Sequence, residues 1–297
     1  LHGAKIKESG INNHKAYPLA TISSGFYQKK DRLYFTQNPL HIFQLFALKL
    51  FTKLVCWCLG RLHKTFTHNS QKLRLIPVIY AILRIMSKIS EKQVAEKLLQ
   101  IQAVKLSPAA PFTWASGWKS PIYCDNRKIL SYPYVRDYVK SELCNVVFET
   151  FPEAAVLAGV ATGGIPLGAL VADQLKLPFI YVRAKAKEHG MGNLIEGVLQ
   201  PGQPVVVVED LISTGKSSLE AVNAIRAAGG EVIGMVSIFN YGFDVAVKAF
   251  EAAGVPFYSL SNYGALIELA AEKGVVSGDD LALLEAWRSA PDQWTGK

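Results

Sequence analysis

The sequence predicts an α/β protein, a parallel sheet flanked by helices, with a smaller N-terminal segment ahead of it. Three observations point there. Val205-Val206-Val207-Val208 is an unbroken apolar run, which reads as a strand buried on both faces, as in a parallel sheet. From Ala155 onward, short apolar runs alternate with stretches of helical periodicity, the pattern of strand–helix units. The junctions between them carry glycines and small hydroxyl residues, which suit tight turns from strand into helix.

Charge and cysteine usage narrow the function classes. The formal net charge of the 297 residues is +8, but residues 1–85 hold 13 Lys+Arg against 2 Asp+Glu, and residues 86–297 hold 19 against 22. The basic excess is confined to the first segment, and the mildly acidic remainder argues against a general nucleic-acid surface. Cys56, Cys58, Cys124 and Cys144 form no disulfide framework for a chain of this length, and Cys56-x-Cys58 lacks zinc spacing. A reduced, cytoplasmic setting is the default expectation.

Residues 1–85 are basic, nearly free of acid and poor in turn signals. The apolar stretch from Leu73 to Ile85 is too short to span a bilayer and holds Pro77 near its start. Three readings are open: upstream sequence foreign to the working protein, a targeting peptide, or an amphipathic membrane-surface anchor. The first is preferred, because Met86 opens a stretch with the look of a natural start, in which Ser90-x-x-Gln93 reads as a capping box. The fold is therefore expected in residues 86–297, with low order before it.

Val94, Leu98, Ile101 and Val104 repeat at helical spacing and predict an amphipathic helix over 90–103, ended by Pro108 and Pro111. Phe112 to Asp125 is aromatic, contains Gly117 and alternates through Ile122 and Cys124, which fits a hairpin or bent strand pair. Tyr134 to Phe151 reads as a helix. Ala155 to Val160 is a short buried strand, followed by Ala161-Thr162-Gly163-Gly164-Ile165-Pro166 and a helix to Leu175. Paired glycines let backbone approach a ligand closely, and a helix start favours an anion.

Pro178 to Val182 is a further buried strand. The next stretch, from Arg183 to Asn193, sets Arg183, Lys185, Lys187 and His189 among small residues and two glycines. It has neither strand nor helix packing, so it reads as an exposed loop with glycine hinges, charged to suit a pyrophosphate.

The valine strand then meets Glu209-Asp210, where it is expected to leave the core, and Leu211-Ile212-Ser213-Thr214-Gly215-Lys216-Ser217-Ser218 leads into a helix. Free backbone N–H groups and a helix N-terminus at a sheet's carboxyl edge form a phosphate site. A P-loop is excluded, since the glycine it needs five residues before Gly215 is Asp210, and no GxGxxG follows a strand. Beyond lie a strand over 231–239, a helix over 246–253, a strand over 257–260, a helix over 262–273, and a last helix through Trp287 capped by Asp279.

Val205 to Ser218 resembles the phosphoribosyl-pyrophosphate (PRPP) motif of type I phosphoribosyltransferases, and Phe112 to Arg127 resembles the N-terminal hood of orotate phosphoribosyltransferases. The resemblance covers nearly all of residues 86–297, with the hood at about 86–130, and implies the type I phosphoribosyltransferase fold. It implies that Glu209 and Asp210 hold the ribose hydroxyls while Leu211, Ile212, Ser213, Thr214, Gly215, Lys216 and Ser217 form the 5′-phosphate loop. By the same match Thr162, Gly163 and Gly164 meet the pyrophosphate, and Arg183, Lys187 and His189 contact PRPP from a mobile arm. Lys187, His189 and Asp210 are the implied catalytic set, and Ser213, Lys119 and Tyr123 are the orotate candidates. Mg²⁺ is implied as an ion carried by PRPP, with no direct protein ligand, and a homodimer is implied that shares the arm between subunits. No nucleic-acid partner or membrane association is expected.

The chain departs from many members at Ala115, where they have a lysine, and at Asn240-Tyr241-Gly242, where some have an arginine. Two other readings use the same motif: a phosphoribosyltransferase of another base, and a PRPP-binding regulatory protein of this fold.

Overall fold

The computed structural model describes residues 87–114, 116–184 and 194–296. These belong to one of two units into which the chain divides, that spanning Ser70–Lys297. The expectations for residues 1–85, and those for Ala115, Lys185, Lys187 and His189, lie outside the described residues.

A first helix, α1 (87–100), buries Val94, Ala95 and Leu98. It ends three residues before the sequence expectation. Gln102 is left-handed (φ 54°), its N–H reaches Leu99 O at 2.9 Å, and Ala103 N–H reaches Leu98 O at 2.9 Å. This is a Schellman closure with glutamine at the position where glycine is usual, so no glycine announces the stop. Val104 therefore starts a strand, β1 (Val104–Leu106), instead of extending the helical face. Ser90 lies inside α1, its hydroxyl 3.4 Å from Glu142 Oε2, so it does not form the expected capping box.

The hood follows. Strands β2 (Phe112–Thr113) and β3 (Lys119–Ser120) pair as an antiparallel hairpin, and β4 (Ile122–Cys124) pairs antiparallel with β1. Gly117 takes a φ of 88° in the hairpin turn, which any side chain would strain. A 3-10 segment (Asn126–Ser131) leads to helix α2 (Pro133–Thr150).

The main sheet holds six strands: β5 (Val156–Val160), β6 (Phe179–Val182), β7 (Ile195–Glu196), β8 (Pro204–Ile212), β9 (Glu231–Asn240) and β10 (Phe257–Asn262). Their spatial order is β10-β9-β8-β5-β6-β7, parallel throughout except for β7 at one edge. Helices α3 (Gly164–Leu175), α4 (Lys216–Ala227) and α5 (Asp244–Ala253) are crossovers, and α6 (Tyr263–Glu272) and α7 (Gly278–Ser289) complete the chain. Among the described residues no helix is long and apolar enough to cross a membrane.

The valine run explains the layering. Val206 and Val208 pack with α2 and α3 residues such as Leu143 and Leu167, whereas Val205 and Val207 pack with Val222, Ile225 and Phe250 from α4 and α5. Alternate side chains of one strand thus feed two separate cores. The strand does not leave the core at the acidic pair: β8 runs through Glu209 and Asp210 to Ile212, still paired with β9 up to Asn240. The cap of α7 is Ser277, in a reciprocal capping box with Asp280, not Asp279.

Glycines set how closely α3 approaches the sheet. A side chain at Gly164 would run into the Val208 carbonyl, and one at Gly159 would lie 2.7 Å from Gly164 O. Both obstacles are backbone held by the sheet or the helix. Gly164→Ala should therefore lower the melting temperature by roughly 4–8 °C, from about 2 kcal/mol of overpacking. Gly278, with open space around it, supplies the control: Gly278→Ala should leave melting unchanged or slightly higher. Equal melting of the Gly164 variant and the parent would remove the close-approach account.

Candidate active site

The strand order reverses direction between β5 and β8, because β6 follows on one side and β9 on the other. Such a switch point opens a crevice at the carboxyl ends of the strands. Both glycine-bearing loops border it: Ala161–Gly163 after β5, and Ser213–Gly215 after β8. β8 outruns β5, whose pairing with it stops at Gly159↔Val208. The start of α3 takes up the vacated side of β8. A side chain at Gly163 would collide with the Asp210 carboxylate, so glycine lets this loop lie against the acid. The Ala161–Thr162 peptide is cis, and Thr162 is exposed at the crevice end of the loop.

The two carboxylates are not equivalent. Glu209 is 5% exposed. Its Oε1 accepts the Asp210 N–H at 3.0 Å and its Oε2 accepts the Ser218 hydroxyl at 3.1 Å. Glu209 thereby ties the strand to the first turn of α4. Burial, and then the neighbouring Asp210 charge, push its pKa well up. Asp210 is half-buried and its pKa is also raised by burial, against the lowering effect of Arg127.

The turn that follows suits an anion. Gly215 caps α4 with a φ of 80°, and a side chain there would meet the Phe250 ring at 2.8 Å. Residues 213–218, with Leu211 and Glu220, line a cavity of about 280 Å³ at the α4 N-terminus. No acidic residue occupies the first turn of α4, and Glu220 borders the cavity from further along the helix, so the free N–H groups of the turn and Lys216 supply its positive end. Ile212 belongs to the strand: its side chain is buried in the core and its carbonyl accepts the Tyr241 N–H at 3.1 Å, which leaves no side-chain contact to offer a ligand. Leu211 likewise packs on a core cluster. Ser213 and Thr214 are partly exposed at the turn, and Lys216 and Ser217 are exposed.

The hood supplies residues that sequence reasoning did not single out. Asn126 is 1% exposed and its Nδ2 donates to Asp210 O at 2.7 Å, while the Cys124 thiol donates to Asn126 Oδ1 at 3.3 Å. This amide pins the end of the hood to the acidic strand. Arg127 follows at once, its Nε 2.7 Å from Asp125 Oδ1, with Asp210 and Tyr123 within its electrostatic reach. The polar triplet Asp125-Asn126-Arg127 closing an otherwise aromatic stretch was the available signal. Tyr123 is exposed, its ring 5.7 Å from Phe112. Lys119 is exposed and its ammonium donates to Thr113 Oγ1 at 2.8 Å within the same hairpin. Arg183, at the root of the arm, holds Glu196 Oε1 at 3.2 Å.

The raised Glu209 pKa has a measurable consequence. The folded chain keeps a proton that the unfolded chain releases as pH passes the ordinary value of 4.5. Stability carried by the protonated form is then lost as pH climbs toward the folded-state pKa. Glu209→Gln is fixed neutral and lacks that slope. Its melting temperature relative to the parent should rise as pH climbs above the ordinary value of 4.5, and a pH-independent difference would sink the assignment.

Residues 142–251 match the phosphoribosyl transferase domain family. An orotate phosphoribosyltransferase of Bacteroides fragilis is 60% identical over 208 residues, 70% of this chain and 98% of the relative. The crystal structure of orotate phosphoribosyltransferase from Aeropyrum pernix is similar with a TM-score of 0.55 and 28% identity, covering 62% of this chain and 99% of that one. The UMP synthase of Leishmania donovani matches with a TM-score of 0.57 and 27% identity over 69% of this chain, which spans 42% of that protein. With the acid-tipped strand, the two glycine loops and the pinned hood in place, and with identity at this level over nearly a whole relative, the chain belongs to the orotate phosphoribosyltransferases, with the type I phosphoribosyltransferase fold.

Proposed function

We propose that the chain transfers the phosphoribosyl group of PRPP to orotate, forming orotidine 5′-phosphate and pyrophosphate in pyrimidine (UMP) biosynthesis, and that residues 86–297 are the catalytic unit. The observation that carries this reading is the placement of Asp210 at the strand-order switch, between the Gly163 loop on one side and the cavity lined by residues 213–218 on the other. A sugar that bears a phosphate at one end and a pyrophosphate at the other spans such a crevice, with its hydroxyls over the carboxylate.

The chemistry asks little covalent work of the protein. As the bond from C1 to pyrophosphate breaks, positive charge grows on the ribose ring and negative charge on the leaving group. Asp210 lies beside the first, and Glu209 holds it and the α4 turn in register through Ser218. The N–H groups of the Thr162–Gly164 loop face the second, joined by Arg183 and, on the sequence match, by Lys187 and His189. Each such preorganised contact is typically worth about 3 kcal/mol of barrier. Orotate attacks C1 through a ring nitrogen, from the hood side where Tyr123 and Ser213 lie, and the proton of that nitrogen passes to the departing pyrophosphate or to water. An arm closing over the site would keep water from the cationic carbon.

Mg²⁺ belongs to this reading as an ion that arrives on PRPP. Asp210 and the Ser213 and Thr214 hydroxyls would accept hydrogen bonds from water that Mg²⁺ retains, without ligating the ion directly. Among the described residues no group of three or more His, Cys, Asp or Glu could hold an ion by itself. When bound, the ion neutralises charge on the pyrophosphate. A homodimer sharing the arm across subunits and a cytoplasmic location complete the proposal, and rest on the family resemblance.

The direct test follows the ultraviolet absorbance of orotate after addition of PRPP and Mg²⁺, with a panel of other bases alongside. Loss of the orotate signal supports the reading. Turnover of another base alone, or of none, refutes it. In the same assay Lys187→Ala should lower kcat by about 100-fold or more with unchanged melting. Chelation of the metal should stop turnover, again without a shift in melting temperature.

A further inference from the structure

Strand β8 runs on to Ile212, but its pairing with β5 stops at Gly159↔Val208. Along a strand, the main-chain groups of alternate residues face the same neighbour. The Val208 carbonyl lies against Gly164, on the side where β5 gives way to α3. The Asp210 carbonyl, two residues on, faces that same side after β5 has ended.

Side chains take the place of the missing strand. Asn126 Nδ2 donates to the Asp210 carbonyl at 2.7 Å, and Glu209 Oε1 accepts the Asp210 N–H at 3.0 Å. Both main-chain groups of the acid are thus held by side chains. Asn126 is 1% exposed, and its other amide atom, Oδ1, accepts the Cys124 thiol at 3.3 Å. Its own backbone is set by a frame outside the main sheet. Cys124 pairs with Val104 across β4 and β1, and the Asp125 N–H donates to Ala103 O at 2.8 Å. The amide therefore reaches Asp210 from a packed support.

We propose that Asn126 is a positioning residue for phosphoribosyl transfer: it stands in for the absent strand, fixes the Asp210 main chain, and so holds the Asp210 carboxylate at the ribose ring. The inference rests on the proposed transferase reading and adds to it a residue that acts through Asp210, not by touching substrate. The carboxylate must be in place when positive charge develops on the ring, and a main chain free to swing would move it. A displacement on the order of 1 Å is enough to cost a reaction about 100-fold. The effect falls on the chemical step. Binding of the PRPP phosphates uses the loops on either side, to which Asn126 makes no hydrogen bond.

Two variants of the full chain test this, Asn126→Asp and Asn126→Ala. The first keeps the shape and turns the donor into an acceptor. The second removes the donor without adding charge. Orotate consumption is followed in a single turnover, with enzyme in excess of orotate and with PRPP and Mg²⁺ saturating, well below the melting temperature of each variant. The expected result for both is a rate lower by about 10- to 100-fold, with the half-saturating PRPP concentration within about twofold of the parent. A parental rate in either folded variant overturns the proposal. So does a raised half-saturating PRPP concentration with the rate kept, which would mark a role in binding alone. Failure of both variants to fold overturns it too, because the role would then be structural only. If the parent chain itself consumes no orotate, the transferase reading falls and takes this inference with it. If the parent consumes orotate and the variants match it, only the inference falls.

Discussion

Two adjacent carboxylates, Glu209 buried and Asp210 half-buried, stand at the end of a parallel strand, and much of the carboxyl edge is arranged around them. Burial penalises the charged form of both. Glu209 answers with two hydrogen bonds, one from its neighbour's backbone and one from Ser218. Asp210 lies under the charge of Arg127, and its carbonyl is taken by Asn126. Strand, helix start and hood are thus joined at the place where the chain could least tolerate an unpaired group. Any positive charge brought beside the pair lowers the same penalty. A site built this way favours a ligand that is or becomes cationic at that point.

The glycines serve the same end by different means. Gly164 and Gly159 bring the α3 backbone against β5 and β8, and Gly163 lets the loop lie on Asp210. Gly215 places the α4 N-terminus with a left-handed turn that no side chain would adopt without strain and collision with Phe250. The crevice is therefore lined by main chain on two sides. Backbone N–H groups are held by the sheet and cost nothing to reorganise when charge develops.

Much of this could be read from residues alone, and the failures have physical causes. The valine run, the alternation of strands and helices, the hairpin around Gly117 and the two loops are local patterns, and the structure contains them. The helical pattern runs past the true end of α1 because Gln102 takes the left-handed position usually held by glycine. Asp279 suits the cap of α7 by residue type, but the Ser277–Asp280 box prevails. Glu209 and Asp210 read locally as the strand's exit from the core. Nothing local reveals that β9 continues alongside as far as Asn240 and carries the strand past them. Asn126 is the clearest omission, since its importance lies in an 84-residue reach to Asp210 that no spacing rule detects.

The hood poses the same problem on a larger scale. Its strands are two or three residues long, too short to hold a fixed shape by pairing alone. What fixes them comes from the far end of the chain. Trp287, fully buried on α7, donates its indole N–H to Lys119 O at 3.2 Å and packs edge-on against Trp114 at 5.7 Å. Tyr241 packs against both, at 5.1 Å from Trp114 and 5.8 Å from Trp287. The C-terminal helix, remote from every motif in sequence, therefore sets the position of the hood over the crevice. Asn126 fastens the other end of the same segment to the acidic strand. A loop held at both ends by buried partners is positioned like a secondary-structure element, and this is how a segment with little pairing of its own can present side chains to a ligand at a defined distance from Asp210.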